Sequence, residues 1–187
     1  MAINLSKGER VSLSKGLSKI KIGLGWDPND GTGADFDLDA SAFMVGSNGK
    51  IPQDGYFIFY NNKFSPDGAV EGADDDQTGG ASDGGDDEEI TVELNKVSQE
   101  ITEIIVVVTI HEHAQRNQNF GQVRNSYIRV VDQATNEEIM KYELDEDYSI
   151  ESSIEFGRLY RRNNEWKFEA MGKGYKEDLG YFLSKYN

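Results

Sequence analysis

Apolar and polar residues alternate over much of the chain. Val11 and Leu13, then Ile20, Ile22 and Leu24, are each separated by one polar or small residue, the period of a strand with one buried face. Phe36 to Val45 predicts another strand, ended by a turn at Gly46-Ser-Asn-Gly49, and Tyr56 to Tyr60 a short aromatic one. The alternation returns at Ile90, Val92 and Leu94. Ile101 to Ile110 holds a β-branched run that predicts a central strand covered on both faces. Ser126 to Val131 and Glu138 to Tyr142 read as a pair joined by a turn at Asp132 to Asn136. Phe156 to Tyr160 and Trp166 to Met171 read as a second pair joined by Arg161 to Glu165. Only the end has helical spacing: Tyr175, Leu179, Phe182, Leu183 and Tyr186 recur on one face after the break at Gly172-Lys-Gly174. Many short strands without a βαβ rhythm predict a mainly β fold, a β-sandwich of two antiparallel sheets with a C-terminal helix, forming a single domain over 1–187.

Composition narrows the function. With 37% hydrophobic residues the 187-residue chain can bury one substantial core. A net charge of −15 argues against nucleic acid or an anionic membrane as partner. The lack of cysteine excludes disulfides, thiolate zinc sites and thiol redox chemistry. No segment reads as a signal peptide or a membrane span, so a cytoplasmic protein is expected.

The charge is concentrated. Glu71 to Glu89 carries nine carboxylates and no Lys or Arg, with glycines between them. Asp35-Phe-Asp37-Leu-Asp39 adds a second group. If it is strand, its three aspartates share one face about 7 Å apart, while Phe36 and Leu38 face the core. Crowded like charges favour a hard cation that takes six to eight oxygens, including carbonyls that a Gly-rich loop can aim inward. Asp27 and Asn61-Asn62 are further oxygen donors at nearby strand ends. The alternative is a solvated acidic loop. An EF-hand is excluded, because a loop starting at Asp74 has Gly85 where the closing Glu belongs.

Several short motifs, in order, resemble the TerD family of tellurium-resistance and stress-response proteins. They are Gly23-Leu-Gly-Trp-Asp27, Phe36-Asp-Leu-Asp-Ala-Ser41, Phe57-Ile-Phe-Tyr-Asn-Asn62, Ser65-Pro-Asp-Gly68, Gly85-Asp-Asp-Glu88, Ile110-His-Glu112, Gln118-Asn-Phe-Gly121 and Ser126-Tyr-Ile-Arg-Val130. The resemblance implies a β-sandwich and calcium binding at clustered acidic residues. In the family's acidic motif Asp74 stands here for Gly and Asp76 for Asn, while Asp75, Thr78 and Gly79 match. The expectation is two neighbouring Ca²⁺ ions, or at least one, between the aspartate strand and the acidic loop. The ligands would be Asp37, Asp39, Asp75, Asp76, Asp86, Asp87 and Glu88, with Asp27, Asp35 and Asp83 beside them. Calcium ions and other stress-response proteins are the expected partners.

Other groups read as structural. His111 and His113 are expected at a strand end, sharing one face if that strand continues, with Glu112 opposite. Gln118, Asn119 and Asn125 are expected to bond loop backbone, with Gly121 at positive φ. Arg158, Arg161 and Arg162 are expected in an exposed turn. Neither a Walker-type element nor a nucleophile elbow is present, so no enzyme is expected. A Mg²⁺- or Mn²⁺-dependent hydrolase and an acidic protein-interaction module are the competing readings.

Overall fold

The computed structural model describes residues 2–72, 85–144 and 148–187. Among these, twelve strands form two six-stranded sheets. One sheet runs β1 (Ile3–Leu5), β10 (Glu137–Glu143), β9 (Tyr127–Asp132), β3 (Lys19–Gly25), β7 (Glu88–Glu93), β6 (Val70–Gly72). The other runs β2 (Arg10–Ser12), β12 (Glu165–Tyr175), β11 (Ser153–Arg162), β8 (Glu103–Ile110), β4 (Leu38–Val45), β5 (Phe57–Ile58). Every pairing is antiparallel except β1 with β10, which is parallel. Among the described residues there are two α-helices, the single turn α1 (His113–Arg116) and α2 (Leu179–Tyr186), and a 3-10 turn at Asp54–Tyr56. Among the described residues no helix is long and apolar enough to cross a membrane.

The alternating residues do what their period predicts. Ile20 and Ile22 of β3, Ile90 and Val92 of β7, and Ile128 and Val130 of β9 are at most 2% exposed and share one core with the other sheet. Tyr142 of β10 meets Phe156 of β11 edge-on, with ring centroids 5.8 Å apart, so one aromatic contact spans both sheets. The β-branched run becomes β8, flanked by β11 and β4 and buried from Ile104 to Ile110.

Several boundaries differ from expectation, and of the Tyr56–Tyr60 strand only Phe57–Ile58 forms, with Tyr56 in a 3-10 turn. The Phe36 strand begins only at Leu38, and Phe36, Asp37 and Leu38 are buried in succession. The preceding segment is a connection whose carbonyls are claimed by side chains, so the two-residue alternation does not govern it. The Arg161–Glu165 turn is shorter than expected. Arg161 and Arg162 lie in β11 and Glu165 in β12, while Asn163 and Asn164 turn the chain with φ of +54° and +60°, the two left-handed positions of a type I′ hairpin. The arginines therefore form no exposed turn. Arg158 is paired to Glu169 at 2.7 Å and Glu103 at 2.9 Å, and Arg161 lies 4.6 Å from the Trp166 ring centre.

Tyr175 belongs to β12 rather than to the terminal helix, which starts at Leu179 behind an Asp178 cap. A buried glutamate explains the split. A register shift between Glu155 and Gly157 breaks the alternation of β11, a device that re-aims a side chain. Glu155 is 1% exposed and accepts hydrogen bonds from Tyr175 Oη at 2.7 Å, from Tyr186 Oη and from Lys185 Nζ. Strand and helix thus close on one carboxylate, and Phe182 and Tyr186 pack against Phe43.

Burial alone would raise the Glu155 carboxyl, but the bonds from Lys185, Tyr186 and Tyr175 outweigh it and hold it below the ordinary 4.5. A carboxyl held lower in the folded than in the unfolded chain adds stability above about pH 4.5, and that stability is lost as pH falls through the folded value. Glu155→Gln is expected to lose about 2–3 kcal/mol at pH 7, the scale of hydrogen bonds to a charged group. Urea unfolding from pH 7 to pH 3 should show the gap between variant and wild type narrowing below pH 4.5.

Candidate metal centre

The acidic residues gather where β3 ends. The carboxylate-rich 71–89 segment joins β6 to β7, which pair directly through Val70–Val92 and Gly72–Ile90. Its two ends are therefore neighbours in one sheet. Asp75, Asp76 and Asp83 lie outside the described residues.

Trp26 joins the two acidic groups. It is 5% exposed, just past the last residue of β3. Its backbone N–H donates to Asp87 Oδ2 at 2.9 Å, and its indole N–H to the Phe36 carbonyl at 3.3 Å. The Asp87 N–H returns a bond to the Leu24 carbonyl at 2.8 Å. One residue thus ties the entrance of β7 to the entrance of β4. Asp37 (7% exposed), Asp87 (9%) and Glu88 (8%) are withdrawn from solvent. Asp39, in β4, and Glu88, in β7, line one narrow cavity with Tyr60 and Gly72. Burial of this kind is costly for a carboxylate unless donors or cations answer it.

The neighbouring loop holds the aspartate segment from outside. Gln118 Nε2 donates to the Ala34 and Asp35 carbonyls at 2.8 and 3.2 Å, and the His111 N–H to the Asp37 carbonyl at 2.8 Å. Arg116 lies 3.7 Å from the Asp37 carboxylate, and His111 Nδ1 lies 3.6 Å from that of Asp39. Asp35 is exposed. Asp27 accepts from Asn125 Nδ2 at 2.6 Å. The three aspartates do not form the uniform face that a continuous strand would give: Asp35 is in water, Asp37 buried and Asp39 partly covered.

Asp86 stands apart. Its side chain is 0% exposed and gripped by Arg129, whose Nε and Nη2 donate to its two oxygens at 2.7 and 3.1 Å. Tyr127 Oη adds a bond at 3.0 Å, and Lys21 lies at 3.7 Å. The carboxylate occupies the space over Gly23, where a Cβ would meet it at 2.0 Å. A Cβ on Gly25 would meet the Tyr127 ring at 2.5 Å. Burial would lower the Arg129 guanidinium, but its bonds to Asp86 and Glu138 hold it above the usual value. Burial, aided by the Asp86 charge, pushes the Tyr127 hydroxyl up. The fixed guanidinium of Arg129 neutralises Asp86.

The remaining expectations sort in the same way. His111 follows the end of β8 and His113 opens α1, so they do not share a strand face. Glu112, at φ +50°, turns to Arg116 at 3.2 Å. Gly121 lacks the expected positive φ; it is glycine because a Cβ there would lie 1.9 Å from the Tyr148 carbonyl oxygen. The left-handed residues of this loop are Asn117 and Asn125. Asn62 closes its own turn on the Gly55 and Phe57 carbonyls. Residue type assigns no role to Trp26 or Arg129, whereas Gln118 bonds loop backbone as expected, at the Ala34 and Asp35 carbonyls. The Gly23-x-Gly25 spacing was the available signal, since two glycines on one strand face mark a close approach. Among the described residues no three of His, Asp and Glu converge on a position that could hold a metal ion. A complete coordination shell would need oxygens from outside them.

Fold and site together define a two-sheet β protein with buried carboxylates at one sheet end. The TerD domain model matches residues 1–186. The chain is 48% identical to the tellurium resistance protein TerD of Serratia marcescens, over all of this chain and 97% of that protein. It is 47% identical to general stress protein 16U of Bacillus subtilis (strain 168), again over all of this chain and 97% of the relative. The crystal structure of a homologue of telluride resistance protein (TerD) from Streptomyces coelicolor A3(2) superposes with a TM-score of 0.71 at 25% identity, covering 90% of this chain and 96% of that one. The chain belongs to the TerD family of tellurium-resistance and stress-response proteins.

Asp86→Ala is expected to destabilise the fold by about 2–3 kcal/mol, because half-sheltered Arg129 loses its bidentate partner and keeps only Glu138. Gly23→Ala should cost a similar amount by expelling the same carboxylate, yet far less when made on top of Asp86→Ala. Denaturant unfolding of the two single variants and the double variant measures the coupling.

Proposed function

We propose that the protein binds calcium rather than catalysing a reaction, and serves in a stress response of the tellurium-resistance type. The observation that carries this reading is the Trp26 bridge. It holds Asp87 and the Phe36 carbonyl on one residue, so that Asp37, Asp39, Asp87 and Glu88 belong to one end of the sandwich. The donor set is chemically suited to a hard cation: carboxylates and carbonyls, no thiolate, and histidine only at the edge. Asp37, Asp39, Asp87 and Glu88 would supply the inner wall, with Asp75, Asp76 and Asp83 of the same acidic connection completing the shell for one ion or two. Asp27 and Asp35 would act at the rim. Asp86 is left out of the set because Arg129 holds both of its oxygens.

A bound cation would relieve the repulsion of the connection between β6 and β7 and tie it to the entrance of β4. Calcium would act as a strut or a signal for partner proteins of the stress response. With a net charge of −15 those partners are not nucleic acids, and a cytoplasmic location is consistent with a chain free of cysteine.

Thermal unfolding tests the proposal. Calcium at a hundred to a thousand times its dissociation constant should stabilise the fold by about 3–4 kcal/mol, and chelator should reverse the effect. Asp87→Asn keeps an oxygen for the Trp26 N–H but removes charge; combined with Asp37→Asn it should abolish the shift, whereas Asp86→Asn should retain it. A Tm indifferent to calcium would overturn the proposal, and a response to Mg²⁺ or Mn²⁺ alone would favour a metal-dependent hydrolase.

A further inference from the structure

Beside the carboxylate end lies a cavity of about 460 Å³, bounded by the 28–34 loop and by residues 116–124. Its charge runs against that of the chain. The lining carries Arg116 and Arg124 against a single carboxylate, Asp30. The cavity lined by Asp39, Glu88 and Glu89 contains no Lys or Arg, and neither does the one lined by Asp39, Glu112 and Asp178. In a protein of net charge −15, a locally basic concavity needs a reason.

The two guanidinium groups are differently held. Arg124 meets Asp30 at 3.5 Å with both side chains more than 70% exposed, a contact worth little in water. Arg116 is 25% exposed and is oriented by Glu112 at 3.2 Å and Asp37 at 3.7 Å. Gln118, also in the lining, is 7% exposed. Its Nε2 is committed to the Ala34 and Asp35 carbonyls, which sets the orientation of the amide. Its Oε1 is buried and has no hydrogen-bond partner among the described residues.

We propose that this cavity binds a small organic anion. The anionic oxygens are engaged by Arg116 and Arg124, whose planar donors match carboxylate and phosphate alike. The volume suits a metabolite-sized ligand rather than a bare inorganic ion. The site does not depend on the calcium reading, because none of these groups requires a metal.

The test uses the full chain, metal-stripped and in chelator-free buffer, so that loss of calcium binding and loss of this site are read separately. Ribose 5-phosphate and malate are titrated in turn, with glycerol as the neutral control, and backbone amide shifts are followed by NMR. At least one anion should give saturable shifts centred on Gly31, Gly33 and Gln118. Whether ribose 5-phosphate or malate binds more tightly identifies phosphate or carboxylate as the preferred group. Arg124→Gln, at an exposed position, should weaken binding roughly tenfold or more with the spectrum otherwise native. Lys15→Gln, outside the cavity, should leave it unchanged. No saturation by either anion, glycerol binding as tightly as the anions, or an unchanged affinity in Arg124→Gln would each overturn the proposal.

Discussion

Carboxylates can be crowded at one end of this sandwich only where a fixed donor answers them, and the end of β3 supplies those donors. Within four residues, Gly23 yields its space to Asp86, Gly25 to Tyr127, and Trp26 hands one N–H to Asp87 and the other to Phe36. The two acidic segments come from opposite sheets, β7 in one and β4 in the other. Trp26 is a hydrogen-bonded element that they share at this point. The apolar core brings the sheets together, and this short motif decides what faces what at their end.

The molecule answers buried charge in two ways. Asp86 and Glu155 are fully enclosed, and each has a basic partner from a neighbouring element: Arg129 on β9, Lys185 on α2. These pairs are internal fasteners. One holds the entrance of β7 to β9 and the other holds α2 to β11 and β12. At the end of the sandwich Arg116 stands 3.7 Å from Asp37 and His111 3.6 Å from Asp39, and Asp87 accepts the Trp26 N–H at 2.9 Å. That difference separates carboxylates that serve the fold from those proposed to serve a cation. It also sets the acidic end beside a basic cavity, so that two oppositely charged surfaces share the 34–37 segment.

The sheet-forming segments were largely legible because alternation needs only a water face and a core face. Ile20–Leu24, Ile90–Leu94 and the β8 run all became strands. Two of the three-residue strands were not legible. Ile3–Leu5 and Val70–Gly72 are too short to display a period and exist because an edge stands ready beside them. Tyr175 joined β12 despite its helical spacing to Leu179, since its hydroxyl reaches Glu155 across the strand pair. The Asp35–Asp39 alternation failed for a similar reason: the Trp26 and Gln118 side chains take the Phe36, Ala34 and Asp35 carbonyls out of any ladder before Leu38.

By itself the amino-acid order determined the β architecture, the location of the negative charge and the choice of oxygen over sulfur as donor atom, since these follow from local periodicity and residue chemistry. It also carried the family motifs. Only the tertiary structure decided which carboxylates already have partners. Asp86 and Asp87 are adjacent and chemically identical, yet one is spent on Arg129, forty-three positions away, and the other on Trp26, sixty-one away. Such pairings depend on which strands lie side by side and which way each pleat points, and neither is encoded in the spacing of the acidic residues themselves.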